Sequence, residues 1–361
     1  MPKGYQKDYF ALFLFYSFGS RIQPVRTKKL TKTSMKNSWA ICLAASMCAG
    51  AFAIPANAQT AGSFPSQSVR LISPFPAGSG PDVVARIVGE KLATSFKQGV
   101  IIDPRPGANG FLAMGAVKQA PPTGYDLLLA DVGHLAISPS LFKKLPYDPK
   151  ADFTPVGGVY RTSFFVVVGA NSPIKSVKDL LAAAATPGKV TYGSNSVGGP
   201  LHLGAAQLEA ASGTKMVHVP YKEISQLYGA VSTGEIDWAM GSIASAGPLL
   251  KAGRLRFIAI ADATRAASMP NVPTVEESGG PKGVKARTWV VLMAPKATPA
   301  AVVDVLNRSL NDALKQSDVA EKFANFGFVP DPTTPAALTT LIASDTLVYA
   351  DMVKRTGASA D

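Results

Sequence analysis

The sequence predicts an α/β protein built from two domains. Its 361 residues are more than one hydrophobic core ordinarily organises. Short apolar runs alternate with stretches of helical period, as strand–helix–strand units require. The strand-like runs fall into two groups, one before and one after about Tyr160. A composition of 47% hydrophobic and 17% charged residues supplies enough core for both groups and argues against wholesale disorder.

Val69–Ser73 reads as the first strand, followed by an amphipathic helix over Asp82–Phe96 with Val83, Val84, Ile87, Val88 and Leu92 on one side. Val100–Asp103 reads as a strand, Phe111–Gln119 as a helix and Asp126–Ala130 as a third strand. The second group opens with the wholly apolar strand Phe164–Val168. A helix over Ser176–Ala185, closed by Pro187-Gly188, and a strand over Lys189–Tyr192 follow. The alternation then runs helix Pro200–Ser212, strand Met216–Val219, helix Ile224–Ser232 and strand Ile236–Met240. Helix Ala244–Ala252 and strand Leu255–Ile260 complete the group. A further apolar strand, Trp289–Met293, precedes a helical tail over Ala300–Gln316, Val319–Phe326 and Pro335–Lys354. Thr334 is the N-cap of the last helix and Pro335 sits in its first turn. Such alternation predicts largely parallel sheets, and a purely helical tail is suited to return over the first of them.

The net charge of +12 is concentrated at one end. Eight of the 36 Lys and Arg residues and one of the 24 acids fall in residues 1–58, so the remainder carries only +5. No basic run with interleaved aromatics occurs there, so no nucleic-acid partner is expected. Met35-Lys36-Asn37-Ser38, the apolar run Trp39 to Ile54, and Ala56-Asn57-Ala58 form the three-part pattern of a secretory signal peptide cleaved after Ala58. Met35 is then the expected true start, with residues 1–34 an upstream extension. Both cysteines, Cys42 and Cys48, lie in this leader, so disulfides, thiol nucleophiles and cysteine zinc sites are excluded from 59–361.

Four loops follow strands and open helices, the place where open α/β sheets hold ligands. The most informative is Pro74-Phe75-Pro76-Ala77-Gly78-Ser79-Gly80-Pro81-Asp82. Its glycines let backbone approach a ligand, and the helix start behind it favours an anion such as a carboxylate. Phe75, Pro76, Ala77, Gly78, Ser79, Gly80 and Asp82 are candidates; the alternative is a tight capped turn. A second loop, Gly193 to Pro200, offers Ser194, Asn195, Ser196, Gly198 and Gly199 to a small polar molecule, or is an ordinary turn. The third supplies Asp131, Gly133 and His134; His134 can donate to an anion, though a lone loop histidine is more often merely solvated. The fourth supplies Gly241 and Ser242. Arg105 reads as an intramolecular clasp, His202 and His218 as core or interface residues, and Trp289 as a cleft or packing residue.

Catalytic constellations are not found. Gly78-Ser79-Gly80 with Asp103 resembles a dinucleotide fingerprint, but Val83 stands where the third glycine belongs. Ser194-Asn195-Ser196-Val197-Gly198 lacks the first glycine of a nucleophile elbow, and no histidine follows His218. A secreted serine hydrolase using Ser196 is therefore the minor alternative. His134, His202 and His218 have no metal-ligand spacing, so neither a metal nor a cofactor is expected.

Taken together, the chain resembles the extracytoplasmic solute receptors of the tripartite tricarboxylate transporter system, the Bug or TctC-like family, over nearly all of 65–358. The landmarks, in order, are Pro74-Phe75-Pro76-Ala77-Gly78 with Asp82 and Ala85-Arg86; Arg105-Pro106-Gly107-Ala108; Pro122-Gly124-Tyr125; and Leu145 to Pro149 with Asp152-Phe153. They continue with Val217 to Lys222, Gly234 with Asp237, Ala252 to Arg256, and Val272 to Glu276. The resemblance implies two Rossmann-like lobes of the type II-like periplasmic binding protein architecture with a ligand cleft between them. It divides the chain into a leader (1–58), lobe I (59–160), lobe II (161–288) and a return to lobe I (289–361), with hinges near Tyr160-Arg161 and Arg287-Thr288.

The implied function is non-enzymatic. A monomeric periplasmic receptor would close on a small carboxylate or aromatic acid and deliver it to membrane subunits of the TctA/TctB kind; a ligand-sensing partner of a signalling receptor is a further alternative. In the family a ligand carboxylate is gripped at the loop matching Pro76–Gly80 and at that matching Ser194–Pro200. Gly241 replaces a customary Asp, which implies a larger or less acidic pocket floor. Glu223 replaces a Gly, and Val197 and Gly199-Pro200 replace more polar residues. Together these departures imply a bulkier or aromatic ligand.

Overall fold

A computed structural model describes residues 64–360. The expected leader and its cleavage site lie outside the described residues.

The first sheet holds β1 (Val69–Ser73), β2 (Val100–Pro104), β3 (Asp126–Asp131), β4 (Phe153–Ser163), β10 (Arg287–Pro295) and β11 (Val329–Pro330) in the order β11-β4-β10-β3-β1-β2. The second holds β5 (Phe165–Gly169), β6 (Thr191–Ser194), β7 (Val217–Pro220), β8 (Trp238–Gly241) and β9 (Leu255–Ile260) in the order β7-β6-β8-β5-β9. The architecture is the expected α/β one with two lobes, but the sheets are mixed. β1 pairs in parallel with β2 and β3, and β6 with β7 and β8; β10 pairs antiparallel with β3 and β4, and β5 antiparallel with β8 and β9. The antiparallel pairs belong to the strands that carry the chain between lobes, which no helix-first periodicity describes. β4 itself was not expected: Pro155, Gly157 and Gly158 mask its pattern, and a β-bulge interrupts its ladder with β10.

In β1 and β3 the apolar run is continuous because both sheet faces are covered. Leu71, Leu127 and Leu129 point to one side, where they pack with Val84, Val88 and Leu92 of helix α1 (Gly80–Phe96). Helices α7 (Ala300–Leu314) and α8 (Ser317–Ala324) close the same side through Leu306, Leu310 and Phe323. Ile72, Leu128 and Ala130 point to the other side, against Met114 and Val117 of α2 (Phe111–Lys118) and Leu338, Tyr349 and Val353 of α9 (Pro335–Thr356). The second sheet carries its own core around Trp238, Tyr228 and Val166, enclosed by α3 (Val177–Ala183), α4 (Pro200–Ser212), α5 (Ile224–Thr233) and α6 (Ile243–Lys251). Each fully buried leucine or valine stabilises its lobe by about 1.5–3 kcal/mol.

The lobes join where only Phe164 separates β4 from β5. Phe164 N–H donates to Ala286 O, Ala261 N–H to Phe164 O and Ala286 N–H to Ala261 O, tying the two crossings, at Phe164 and Ala286, to the end of β9. Tyr160 and Arg161 lie inside β4, paired through β10, and Thr288 opposes Thr162. The ladder ends at Arg287 and Ser163, so the break in regular structure falls at Phe164 and just before Arg287, rather than at Tyr160-Arg161 or after Arg287.

Candidate functional site

The first loop is ordered by its own helix. β1 ends on Ser73, whose hydroxyl accepts from Phe75 N–H at 3.3 Å. Pro76 O then accepts from both Ser79 N–H (3.2 Å) and Ser79 Oγ–H (2.6 Å), closing a turn in which Gly78 takes φ +77°. Asp82, buried in the first turn of α1, accepts from Gly78 N–H at 2.9 Å and from Arg86 at 3.0 and 3.2 Å. Both of its carboxylate oxygens are thereby engaged within the loop. Pro76, Ala77 and Gly78 are exposed at the tip, and Phe75, Ser79 and Gly80 are half-buried. Ser79 at the N-cap makes no side-chain cap, so the first-turn amides of α1 are not claimed by their own cap residue.

The loop after β3 is not solvated. Gly133–Ile137 forms a π-helical turn, and His134 Nδ1 meets Asp131 Oδ1 at 2.5 Å while His134 N–H donates to the same oxygen at 3.1 Å. Burial pushes the Asp131 carboxyl up, but His134 and the two backbone amides outweigh it and hold it below its ordinary value. His134 also packs edge-on against Phe75 at 5.8 Å and against Gly110, where a Cβ would overlap its ring. Tyr147 Oη–H donates to His134 O at 2.6 Å. Asp131, Gly133, His134 and Phe75 thus form one cluster beside the first loop.

The second loop lies on the other lobe. Ser194, fully buried at the end of β6, donates to Ser196 O at 2.9 Å and meets His218 Nε2 of β7 at 2.7 Å. Gly198 N–H donates to His202 Nδ1 at 2.8 Å, and the two imidazoles stack with centroids 3.9 Å apart. Burial, then the neighbouring His218, brings His202 down to about 4; burial also lowers His218. Asn195 and Ser196 are exposed at the tip. It is Ser194, buried, and not Ser196 that meets a histidine. Gly199 precedes α4 as an N-cap without a side-chain cap. Gly198, at φ +72°, leaves no room for a Cβ, which would overlap Leu141 of the first lobe.

At Gly241 an added Cβ would lie 2.6 Å from the Tyr228 hydroxyl and 2.8 Å from Val167, so of the larger or less acidic floor expected there the larger one is not found: a phenol fills the space. Tyr228 Oη–H donates to Met240 O at 3.1 Å and meets Ser245 Oγ at 2.9 Å; Ser242 and Ser245 form a capping box on α6. The Gly80 end of the first loop lies between the lobes, its Cβ position 3.1 Å from Phe328 of its own lobe and 3.5 Å from Ala244 of the second.

Other side chains serve the fold. Arg105 clasps Asp103 at 2.9 Å, and Trp289 packs in the core with its Nε1–H on Asp345 at 2.7 Å. A cavity of about 420 Å³ opens at the lobe crossing, lined by Arg161, Ser163, Asp262, Arg287 and Phe328, and by none of the predicted loop residues. Among the described residues no cluster of three metal-ligating side chains occurs. His202 and His218, expected as core or interface residues, are buried and half-buried behind the second loop, whereas the sequence alone did not point to Tyr228 or Leu141. The one local signal was the spacing of four between Gly198 and His202, which lets a first-turn ring reach back over the loop.

The receptor model described as the tripartite tricarboxylate transporter family receptor, TctC, matches residues 84–357. BugT of Bordetella pertussis is 32% identical over 312 residues, covering 85% of this chain and 93% of that protein. Rpa4515 of R. palustris, solved with adipate, superposes with a TM-score of 0.74 at 27% identity, covering 82% of this chain and 99% of that one. MatC of Rhodopseudomonas palustris, solved with bound malate, gives 0.70 at 27% identity, covering 80% and 100%. With two α/β lobes, loops at strand ends on both, and a family match spanning most of it, this chain belongs to the tripartite tricarboxylate transporter receptors, the TctC or Bug family of periplasmic solute-binding proteins.

Proposed function

We propose that the protein captures a small carboxylate between the loop Phe75–Gly80 with Asp131, Gly133 and His134 on one lobe and the loop Ser194–Gly199 with Gly241 and Ser242 on the other. The observation that carries this reading is the pair of helix starts, at Gly80 and Pro200, that lack side-chain caps and sit behind glycine-bearing loops on different lobes. Uncapped first-turn amides and the helix dipole favour an anion, and two such starts can grip one carboxylate-bearing molecule from both sides. Asp82 serves this by fixing Gly78 from within, its own charge met by Arg86. The adipate and malate held by the two structural relatives support the ligand class.

The lobes would comprise 59–160 with 289–361, and 161–288, and would close about the crossings at Phe164 and Ala286. Export by the leader ending at Ala58, action as a monomer, and delivery to TctA/TctB-like membrane subunits complete the proposal. A thermal-shift screen of the protein against C4 to C6 dicarboxylates and aromatic acids tests it. A ligand at a hundred times its dissociation constant adds about 2.7 kcal/mol, a rise of several degrees. Gly78→Leu meets nothing within 4 Å of the added Cβ but is strained at φ +77°, so it distorts the exposed loop and abolishes that rise, while an intact cooperative melt without ligand shows that the fold persists. An unchanged rise in the variant, or no rise with any carboxylate, rejects the assignment.

A further inference from the structure

His202 and His218 belong to neither loop by sequence, yet they hold both ends of the second one. The Ser194 hydroxyl has one hydrogen. With that hydrogen given to Ser196 O at 2.9 Å, His218 Nε2 is the donor in the 2.7 Å contact with Ser194 Oγ. At the other end Gly198 N–H donates to His202 Nδ1 at 2.8 Å, so that nitrogen carries no proton. Gly198 is also where the second loop touches the first lobe, through Leu141. One bond to a titratable nitrogen therefore sits directly behind an interlobe contact.

We propose that His202 is a positioning residue for ligand capture: its unprotonated Nδ1 holds Gly198, and with it the second loop, in the shape that meets the first lobe, and a proton on that nitrogen releases both. The proposal rests on the reading of 194–199 as a ligand loop, but its first test does not. Protonation at Nδ1 turns an acceptor into a donor facing the Gly198 N–H, so the bond is not weakened but replaced by a repulsion. His218, stacked 3.9 Å away, opposes a charge on His202. The other titratable groups around the pair are Tyr192, whose ring lies 6.1 Å from His202 and 5.1 Å from His218, and Glu209, whose carboxylate interacts with the Tyr192 phenol. Lys215 lies beyond Glu209 and favours its charged form. Glu209 also accepts from Met216 N–H at 2.6 Å. No hydrogen bond joins either imidazole to Glu209 among the described contacts, so the pair is not offered a counter-ion there.

The experiment is amide exchange of the ligand-free protein, read at Gly198 and corrected for the intrinsic pH dependence of exchange. If the released loop lets His202 titrate at its ordinary value, linkage predicts that opening rises more than tenfold between pH 7 and pH 5. His202→Asn keeps an acceptor, Oδ1, near the place of Nδ1 but cannot take the proton; its Gly198 protection stays flat over that range. His202→Phe keeps the stack without an acceptor, and its Gly198 is unprotected at both pH values. A wild-type protection that does not change with pH, a change of equal size in His202→Asn, or a protected Gly198 in His202→Phe overturns the proposal. Should the Phe variant not fold, the wild type and His202→Asn decide alone. With adipate as probe, wild-type affinity falls between pH 7 and pH 5 relative to His202→Asn by the ratio of one plus the opening constants that exchange reports at the two pH values, the ionisation of adipate being common to both. A measured ratio that departs from that value counts against the proposal, whereas no adipate binding at pH 7 bears on the functional reading and leaves the exchange result to decide this one.

Discussion

Single residues in this protein are constrained most where backbone must come close to something else. Gly241 is the clearest case, because the Tyr228 hydroxyl and Val167 already occupy the position of a side chain. Gly241→Ala forces the phenol off Met240 O and Ser245 Oγ, and a loss of about 1–3 kcal/mol is expected in chemical denaturation. Tyr228→Phe in the same chain removes the atom in the way and recovers part of that loss. A double variant no more stable than Gly241→Ala would show that the phenol is not the obstacle. Asp82 illustrates the opposite economy: a buried carboxylate is tolerated because Gly78 N–H and Arg86 satisfy both oxygens.

At the level of elements, α9 matters most for how the first lobe is closed. Its exposed face carries Leu347 and Val348, while Leu338, Tyr349 and Val353 cover the sheet. Two polar bonds fix its register: Trp289 Nε1–H to Asp345 at 2.7 Å and Tyr349 Oη–H to Arg287 O at 3.2 Å. Asp345→Ala leaves a buried indole N–H without its acceptor, and a destabilisation of about 1–3 kcal/mol is expected, seen also as altered Trp fluorescence. A variant as stable as the wild type would mean that apolar packing alone seats the helix. Because Arg287 opens the strand that re-enters the first lobe, this helix also bears on the crossing next to Phe164.

For the molecule as a whole, the buried histidine pair makes stability depend on pH. His202 titrates near 4 in the fold against 6.5 when unfolded, and His218 is lowered in the same direction. Between those values the unfolded chain binds more protons, so stability is full above about 6.5 and falls as pH drops toward 4. The loss due to His202 is on the order of 3 kcal/mol. Urea denaturation of the wild type and of His202→Asn at pH 7 and pH 4.5 measures it: the wild type loses more. Equal losses in the two proteins would assign the acid sensitivity to other groups.

Much of this was legible in the chain. Val69–Ser73, Pro200–Ser212 and Leu255–Ile260 fall where periodicity predicts, since a strand or helix buried on a defined face must repeat its apolar residues at the matching interval. Glycines at Gly78 and Gly198 could be read as loop positions because φ values near +75° favour them. What the sequence could not disclose is who meets whom. β4 hides behind Pro155 and paired glycines, and strand direction depends on which lobe the chain is leaving. His202 and His218 stand sixteen residues apart, and Tyr228 reaches Gly241 from another element. Local order is written in short-range pattern, because it needs only neighbours along the chain. The histidine stack, the filled floor at Gly241 and the Leu141 contact arise from packing between segments distant in sequence, and only the folded molecule brings those together.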